Sequence, residues 1–294
     1  EAAARAAALA KADLATSMVV EMTSLQGIMG GHYAGLSDEA EPVIAAIAEQ
    51  YNPVSKTNPG LALALADRFD SLLGLFAAGL APKGSNDPFA MRRAAIQIIE
   101  NLVANERFFD LRAGLAAAAP LLPVEADESA REAVLKFING RLGVVLRENG
   151  YPSAVIKAVV AEAGHDPYLA WRNAADLSQA VQAEDWDNVL NAYARCVRIT
   201  RNLEDVYEVN PDAFTEAAEQ ELWAAYEEAA AAADGTMPTL INSLRGMVPA
   251  ISRFFEDILV MADDEAVRQN RLALLQRVAG LTKGMADLSQ LEGF

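Results

Sequence analysis

The sequence predicts an all-α protein. Alanine and leucine dominate it, runs of β-branched residues are scarce, and no segment alternates apolar and polar side chains over the length of a strand. The chain has 294 residues, of which 52% are hydrophobic, so it can build one or two packed cores. We therefore expect helical domains rather than a disordered chain.

Segments rich in glycine, proline and asparagine divide the sequence into helical blocks. The double-proline segment around Pro120 and Pro123 is followed by acidic residues. Such a break predicts a domain boundary near Glu125, with helical domains at 1–125 and 126–294. The breaking segments lie at 27–35, 52–60, 81–88, 120–128, 148–152, 164–167, 210–212 and 234–238.

Two of these segments carry specific local predictions. The glycines of 27–35 are expected to close a turn between helices, because glycine adopts backbone conformations that other residues avoid. Asp87 followed by Pro88 is typical of a helix start and predicts a helix over 89–104.

No membrane-spanning segment is predicted. The most apolar stretch, at 61–82, is interrupted by Asp67, Arg68 and Asp70 well before the roughly 20 apolar residues that a span requires. The first residues, EAAARAAALAKADL, read as a helix already in progress without a targeting segment, so we expect a piece of a longer chain.

The overall charge argues against a general binder of nucleic acid. Forty-one acidic residues face 24 basic ones, which gives a formal net charge of -17. One cysteine, Cys196, and two histidines exclude a disulfide framework and a Cys/His zinc cluster. We therefore predict a reducing, cytoplasmic setting.

No catalytic constellation is evident. The sequence lacks GxSxG, HExxH, P-loop and GxGxxG motifs. His32 follows the predicted glycine turn and His165 lies in a helix-ending loop, so both are interpreted as structural. Asp67 and Asp70 share one helical face, but two carboxylates without histidines make a poor metal site. We predict no catalytic residue and no bound metal.

Arginine usage is more informative than net charge. Arginine supplies 18 of the 24 basic residues, and its guanidinium binds phosphate groups bidentately and stacks on bases. On the predicted helix over 191–203, Arg195, Arg198 and Arg201 share an arc of roughly 120° that is separate from the apolar stripe. One face of this helix is expected to pack and the other to be cationic, with Cys196 in the core.

Two further groups complete the candidate RNA-binding set. Arg268, Asn270 and Arg271 follow a run of acids that begins a helix, and Arg92 with Arg93 lies early in the helix that follows Asp87. Each group taken alone is also explained by ion pairing with the many acids. Together the three groups favour an RNA-facing role.

The chain resembles the beta subunit of bacterial two-subunit glycyl-tRNA synthetase. The resemblance is densest in KADLATSMVVEMTSLQGIMGGHYA and ALALADRFDSLLGLFAAGLAPKGSNDPFAMRRAA, and it continues through KFINGRLGVVLRENGYPSAVIKAVVA and FFEDILVMADDEAVRQNRLALLQRVAGLTKGMADLSQL. It covers nearly the whole chain.

The resemblance implies both a fold and a set of partners. The first half would be an HD-like helical domain that keeps only Asp67 of the metal ligands, and the second a DALR-type anticodon-binding domain. The beta subunit would bind tRNA-Gly within an alpha–beta heterotetramer, without DNA or membrane partners. Glycine activation with ATP and Mg would belong to the alpha subunit or a fused alpha region, so this chain would hold no cofactor. Arg195 and Ile199 match the family pattern, whereas their neighbours depart from it.

Two alternatives stay open. A helical interaction module would dock the alpha subunit through apolar faces, and its arginines would be dispersed and ion-paired. A divergent HD phosphohydrolase would bind a metal and hydrolyse a nucleotide phosphoester, but the missing histidines disfavour it.

Overall fold

The computed structural model describes residues 1–294 and confirms the all-α prediction. It contains fourteen α-helices joined by loops and short 3-10 turns, and the only β-type pairing is an isolated bridge between Lys83 and Asn86. None of the helices combines the length and the apolar character that crossing a membrane would need.

The chain forms two compact units. Unit 1 comprises residues 1–145 together with 165–168, and unit 2 comprises 146–164 together with 169–294. This division lies C-terminal to the boundary near Glu125 that the double proline suggested, because helix α8 continues the packing of unit 1 beyond that segment. The assignment of family domains to 1–125 and 126–294 stays a prediction.

Unit 1 is built around its longest internal helix, α5. Leu72 and Leu73 of α5 are fully buried, as are Ile98 of α6 and Leu111 of α7. Helix α4 packs on α1, α3 and α5, and α5 packs on α6 and α7. The helices of unit 1 are α1 (Ala2–Leu9), α2 (Ser17–Glu21), α3 (Ile28–Leu36), α4 (Glu41–Glu49), α5 (Asn58–Ala77), α6 (Met91–Ala104), α7 (Leu111–Ala118) and most of α8 (Glu128–Glu148).

Only the first residue of the glycine segment at 27–35 lies in the predicted turn, and the remainder is a helix. Gly27 precedes α3 with a φ of 77°, and the glycines that follow lie inside the helix. A Cβ on Gly31 would lie 2.8 Å from Ala48 Cβ, and one on Gly30 would lie 2.8 Å from Ile47 Cγ2. Gly30 and Gly31 therefore allow close packing of α3 on α4. The turn prediction is confirmed at Gly27 and was wrong for the glycines that follow, because the sequence does not show which helix packs against them.

Asp87 has the predicted capping role, although the helix begins later than expected. Its carboxylate accepts hydrogen bonds from the backbone N–H groups of Met91 and Arg92, both at 2.9 Å. Helix α6 begins at Met91 rather than at 89, because Ala90 adopts a left-handed conformation with φ 54°. The side chain thus caps the helix from outside it.

Unit 2 is a bundle in which α11 packs on α13 and α14, and α12 packs on α13. Phe254, Leu274 and Cys196 are fully buried at its centre. Its helices are α9 (Ser153–Ala163), α10 (Pro167–Ala180, from Leu169 onward), α11 (Trp186–Thr200), α12 (Ala217–Ala232), α13 (Met237–Asp257) and α14 (Glu265–Ala279).

The surroundings of Gly31 in α3 and Gly140 in α8 predict opposite changes in stability when each is replaced by alanine. Gly31→Ala should lower the free energy of unfolding by about 1–3 kcal/mol, because its Cβ would crowd Ala48. Gly140→Ala in α8, where no atom lies within 4 Å of the added Cβ, should raise it by about 0.5–1 kcal/mol through helix propensity. Urea unfolding of both variants checks this, and a neutral or stabilising Gly31→Ala would contradict the packing described for α3.

Candidate nucleic-acid interface

Helix α11 has one buried face and one cationic face. Trp186, Val189, Tyr193 and Cys196 on the inner face are each at most 4% exposed. Burial raises the pKa of the Cys196 thiol to about 12, and it raises the pKa of the Tyr193 phenol to about 12 as well. Since the inner face is dry and packed, the arginines of α11 are directed outward.

Two arginines of α11 lie over aromatic rings. The guanidinium carbon of Arg195 is 4.2 Å from the centre of the Phe255 ring, and that of Arg198 is 5.6 Å from the centre of the Phe294 ring. Both side chains are exposed, and so is Arg201, which directly follows the helix. Cation–π contacts of this kind orient a guanidinium without using its hydrogen-bond donors.

Arg195, Arg198 and Arg201 form no ion pair within 4.0 Å. Seven other arginines of this acidic chain do pair with carboxylates. Arg245 pairs with Asp185, for instance, and Arg253 pairs with Glu221 and Asp257. The arginines in carboxylate pairs are Arg5, Arg92, Arg112, Arg131, Arg245, Arg253 and Arg271. The predicted group on α11 is therefore a run of exposed and uncompensated positive charge, which we call the arginine surface (Arg195, Arg198 and Arg201).

The group on α14 is placed differently from the prediction. Arg271 is 8% exposed, and its Nε donates to Glu219 Oε1 at 2.6 Å while Nη1 donates to the Leu259 carbonyl at 3.0 Å. Arg268 is half-buried and donates to the Ala262 carbonyl at 2.8 Å. Arg271 is thus occupied inside unit 2, where its ion pair is shielded from water, and its contact with tRNA stays a prediction.

Asn270 is likewise bonded within unit 2, and its contact with RNA stays a prediction. It is 8% exposed, its Oδ1 accepts from Asn210 N–H at 2.7 Å, and its Nδ2 donates to the Asn210 carbonyl at 3.0 Å. Gln276 bonds the same loop, accepting from Tyr207 N–H at 3.0 Å and donating to the Asp205 carbonyl at 2.8 Å. The two amides fix the loop that follows Arg201 onto α14.

The sequence could not predict that the Glu219 carboxylate is the partner of Arg271. Burial acts to raise its pKa, but the Arg271 guanidinium and the backbone N–H groups of Glu216 and Thr215 lower it below the ordinary value. The residues of the ion pair are 52 positions apart. No spacing rule connects such a pair, so Arg271 looked like a surface residue of an amphipathic helix.

The group at the start of α6 is only partly free. Arg92 donates to the Gly84 carbonyl, and its Nη1 lies 3.7 Å from the Asp87 carboxylate. Arg93 is exposed and forms no ion pair. Their proposed contact with the tRNA body stays a prediction.

The residues considered for metal chemistry do not form a cluster. Lys11 Nζ forms an ion pair with Asp67, and Asp70 is exposed. The His165 carbonyl accepts a hydrogen bond from Leu111 N–H at 2.8 Å, whereas His32 is exposed. No group of three or more His, Cys, Asp or Glu side chains is arranged to hold a metal ion.

Two aromatic residues under the arginine surface were missed by sequence reasoning. Phe255 follows Phe254 in α13, and only Phe254 is fully buried. A pair of adjacent phenylalanines on a helix must place one ring off the core, which is a signal that could have marked Phe255.

Unit 2 is thus a helical bundle with an exposed arginine surface, and comparison with known families identifies its class. Residues 189–288 match the DALR anticodon binding domain. Residues 1–161 match the glycyl-tRNA synthetase beta subunit. The chain belongs to the glycyl-tRNA synthetase beta subunit family.

Curated relatives agree with this assignment. The chain is 36% identical over 304 residues to the glycine–tRNA ligase beta subunit of Moorella thermoacetica and 36% identical over 310 residues to that of Myxococcus xanthus, covering 98% of this chain and 44% of each relative. It is 37% identical over 300 residues to the chloroplastic/mitochondrial glycine–tRNA ligase 2 of Arabidopsis thaliana, covering 28% of that protein. The chain thus spans less than half the length of these relatives.

The buried face of α11 makes Cys196 a probe of its packing. We expect the thiol to react with iodoacetamide at least 100-fold more slowly in the native protein than in 6 M guanidinium, because it is both buried and protonated. Mass spectrometry of the labelled peptide measures the rate. Fast labelling under native conditions would show that the inner face of α11 is open.

The buried ion pair predicts a large asymmetry between two arginines of α14. Arg271→Ala should lower the free energy of unfolding by about 3–5 kcal/mol, since it leaves Glu219 buried without its partner. The exposed Arg277→Ala should change it by no more than about 0.5 kcal/mol. Equal effects of the two substitutions in chemical unfolding would contradict the structural role of Arg271.

Proposed function

We propose that this chain is the tRNA-binding part of a glycine–tRNA ligase beta subunit, and that its arginine surface binds the anticodon arm of tRNA-Gly. One observation carries the proposal. In a chain of net charge -17, Arg195, Arg198 and Arg201 are exposed, free of carboxylate partners and located within the segment that matches an anticodon-binding domain.

The chemistry of this surface suits single-stranded RNA. A guanidinium stacked on a phenyl ring keeps its N–H donors for phosphate oxygens and offers its second face to a base. Arg195 on Phe255 and Arg198 on Phe294 have this geometry. Anticodon loops expose unstacked bases, and proteins read such bases by stacking and by hydrogen bonds.

The acidic remainder of the chain gives the arginine surface selectivity. Seven of the other fifteen arginines are paired with nearby carboxylates, and the net charge of -17 disfavours general contact with RNA phosphates. Binding through the arginine surface should weaken as the salt concentration rises. The interaction-module alternative predicted dispersed, ion-paired arginines, and the arginine surface does not fit that description.

For the whole enzyme we propose that this part of the beta subunit supports the attachment of glycine to tRNA-Gly without an active site of its own. Activation of glycine with ATP and Mg is assigned to the alpha subunit or to a fused alpha region, and the assembly to an alpha–beta heterotetramer in the cytoplasm. The name "beta subunit" of the relatives supports the assignment of a separate alpha subunit or region. The ion pair of Asp67 with Lys11 supports the absence of an active site in this part.

Neutralising the arginine surface should weaken tRNA binding. We expect Arg195→Gln, Arg198→Gln and Arg201→Gln combined to reduce the affinity of the complete ligase for tRNA-Gly at least about tenfold at moderate salt. If all three contact phosphates, the slope of log affinity against log salt should fall by about 2–3. Fluorescence anisotropy with labelled tRNA-Gly measures both quantities.

A matched control removes the same charge elsewhere. Arg112→Gln, Arg245→Gln and Arg253→Gln together delete three arginines that are paired with carboxylates. This control should bind tRNA-Gly within about twofold of the unmodified ligase. If both triple variants lose affinity equally, the effect is one of net charge and the arginine surface has no special role.

A further inference from the structure

The outer face of α11 exposes side chains of only two kinds. From Val189 through Asn202, every residue that the structure leaves exposed is an arginine or an asparagine, and all other positions are buried or half-buried. No carboxylate lies in this stretch, although Asp187 precedes it and Glu204 follows it. The exposed residues are Asn191, Arg195, Arg198, Arg201 and Asn202.

The two asparagines lie on the same face as the arginines. Four of the exposed residues follow one another at spacings of four, three and four positions, and residues so spaced are neighbours on one side of a helix. Arg201 keeps a right-handed helical conformation, so the chain continues the course of α11 up to Asn202. At a rise of about 1.5 Å per residue, the row is about 16 Å long. The four residues are Asn191, Arg195, Arg198 and Asn202.

The side-chain amides of these two asparagines form no hydrogen bond within the protein. Other asparagines of the chain are buried and bond backbone groups, as Asn101, Asn173 and Asn270 do. Asparagine is also a weaker helix former than the alanine that dominates this sequence. The packing of unit 2 therefore gives no reason for an asparagine at position 191, and its amide is available to a ligand.

These two amides are the only hydrogen-bond acceptors among the exposed side chains of this face. A guanidinium has N–H donors and no acceptor, whereas a carboxamide has an acceptor and donors. Arginines can therefore bind phosphates and the carbonyl oxygens of bases. The exocyclic amino groups of adenine, guanine and cytosine are themselves donors, and each needs an acceptor. Among the exposed side chains from Val189 to Asn202, only Asn191 Oδ1 and Asn202 Oδ1 can accept such a bond.

We infer that Asn191 and Asn202 determine the base specificity of α11 by accepting hydrogen bonds from the exocyclic amino groups of anticodon bases. The arginines between them bind phosphates and stack on bases. Contacts with phosphates fix the position of a nucleic acid, whereas contacts with base edges read its sequence. The inference rests on the proposed function, because it takes the arginine surface to bind the anticodon arm.

Replacing cytosine with uridine in the anticodon gives a minimal probe. Every glycine codon begins with two guanines, so a glycine anticodon contains two cytosines. Uracil has a carbonyl oxygen where cytosine has its exocyclic amino group, and the two bases have nearly the same size. A tRNA-Gly transcript with both cytosines replaced by uridine therefore removes the groups that the amides are expected to bind.

Affinities of the complete ligase for the two transcripts test the inference. The unmodified ligase should bind tRNA-Gly at least about tenfold more tightly than the uridine transcript, and Asn191→Ala with Asn202→Ala should reduce this ratio at least about fivefold. The control is Asn242→Ala in α13, an exposed asparagine that accepts a hydrogen bond from Arg245 Nη1 at 3.0 Å, and it should leave the ratio within about twofold. All three asparagines are exposed, so the variants should keep the melting temperature of the unmodified ligase.

Aspartate variants separate the acceptor from the donor of each amide. Asn191→Asp with Asn202→Asp keeps an oxygen acceptor at both positions and removes the N–H donors. This variant should retain the preference for cytosine over uridine, although it should bind both transcripts more weakly because the added carboxylates repel phosphates. Loss of the preference in the aspartate variant would contradict a role of the amides as acceptors.

Two further outcomes would overturn the inference: an unchanged ratio in the alanine variant, and equal affinity of the unmodified ligase for the two transcripts. The proposed function is tested separately by the combined glutamine variant of the arginine surface, which should weaken binding of both transcripts. If that variant loses affinity for tRNA-Gly while the alanine variant keeps the ratio, the proposed function stands and only the role of Asn191 and Asn202 fails.

Discussion

The burial of one face of α11 is the constraint on which unit 2 depends. Tyr193 and Cys196 are enclosed by the helices that pack on α11, and the Tyr193 hydroxyl donates to the Ala279 carbonyl at 2.8 Å. Such contacts fix the rotation of the helix about its axis, and this rotation determines which side chains lie on the exposed face. The outward direction of Arg195 and Arg198 therefore follows from packing.

A second set of contacts fixes the loop that follows α11. The Arg271–Glu219 pair joins α14 to the start of α12, and the Asn270 and Gln276 amides bond the backbone of the loop between α11 and α12. The loop after Arg201 is thus held by side chains whose polar atoms are satisfied. Arg271 and Asn270, which the sequence assigned to RNA binding, thus make contacts within unit 2.

The charge of the protein has a spatial meaning. Carboxylates outnumber basic groups in the chain, yet none of them pairs with Arg195, Arg198 or Arg201. The local arrangement of charges, and not the net charge, therefore decides whether a surface of this chain suits a phosphate group.

The sequence predicted the fold class and the amphipathic character of α11, since both depend on local periodicity. It could not predict contacts between residues distant in the chain, such as those of Arg271 with Glu219 and of Asn270 with Asn210. It also failed at Gly31, whose role depends on Ala48 of a neighbouring helix. Composition and periodicity predict whether a side chain faces the core of its own helix bundle. They do not predict whether a polar side chain has a partner in another helix.

Anticodon dependence of binding tests the central claim most directly. The complete ligase would be titrated with tRNA-Gly and with a transcript that differs from it only in the anticodon triplet, at one fixed salt concentration. If the arginine surface reads the anticodon arm, replacing the triplet should weaken binding about tenfold or more, and Arg195→Gln should reduce that difference. Equal affinity for the two transcripts would contradict the account.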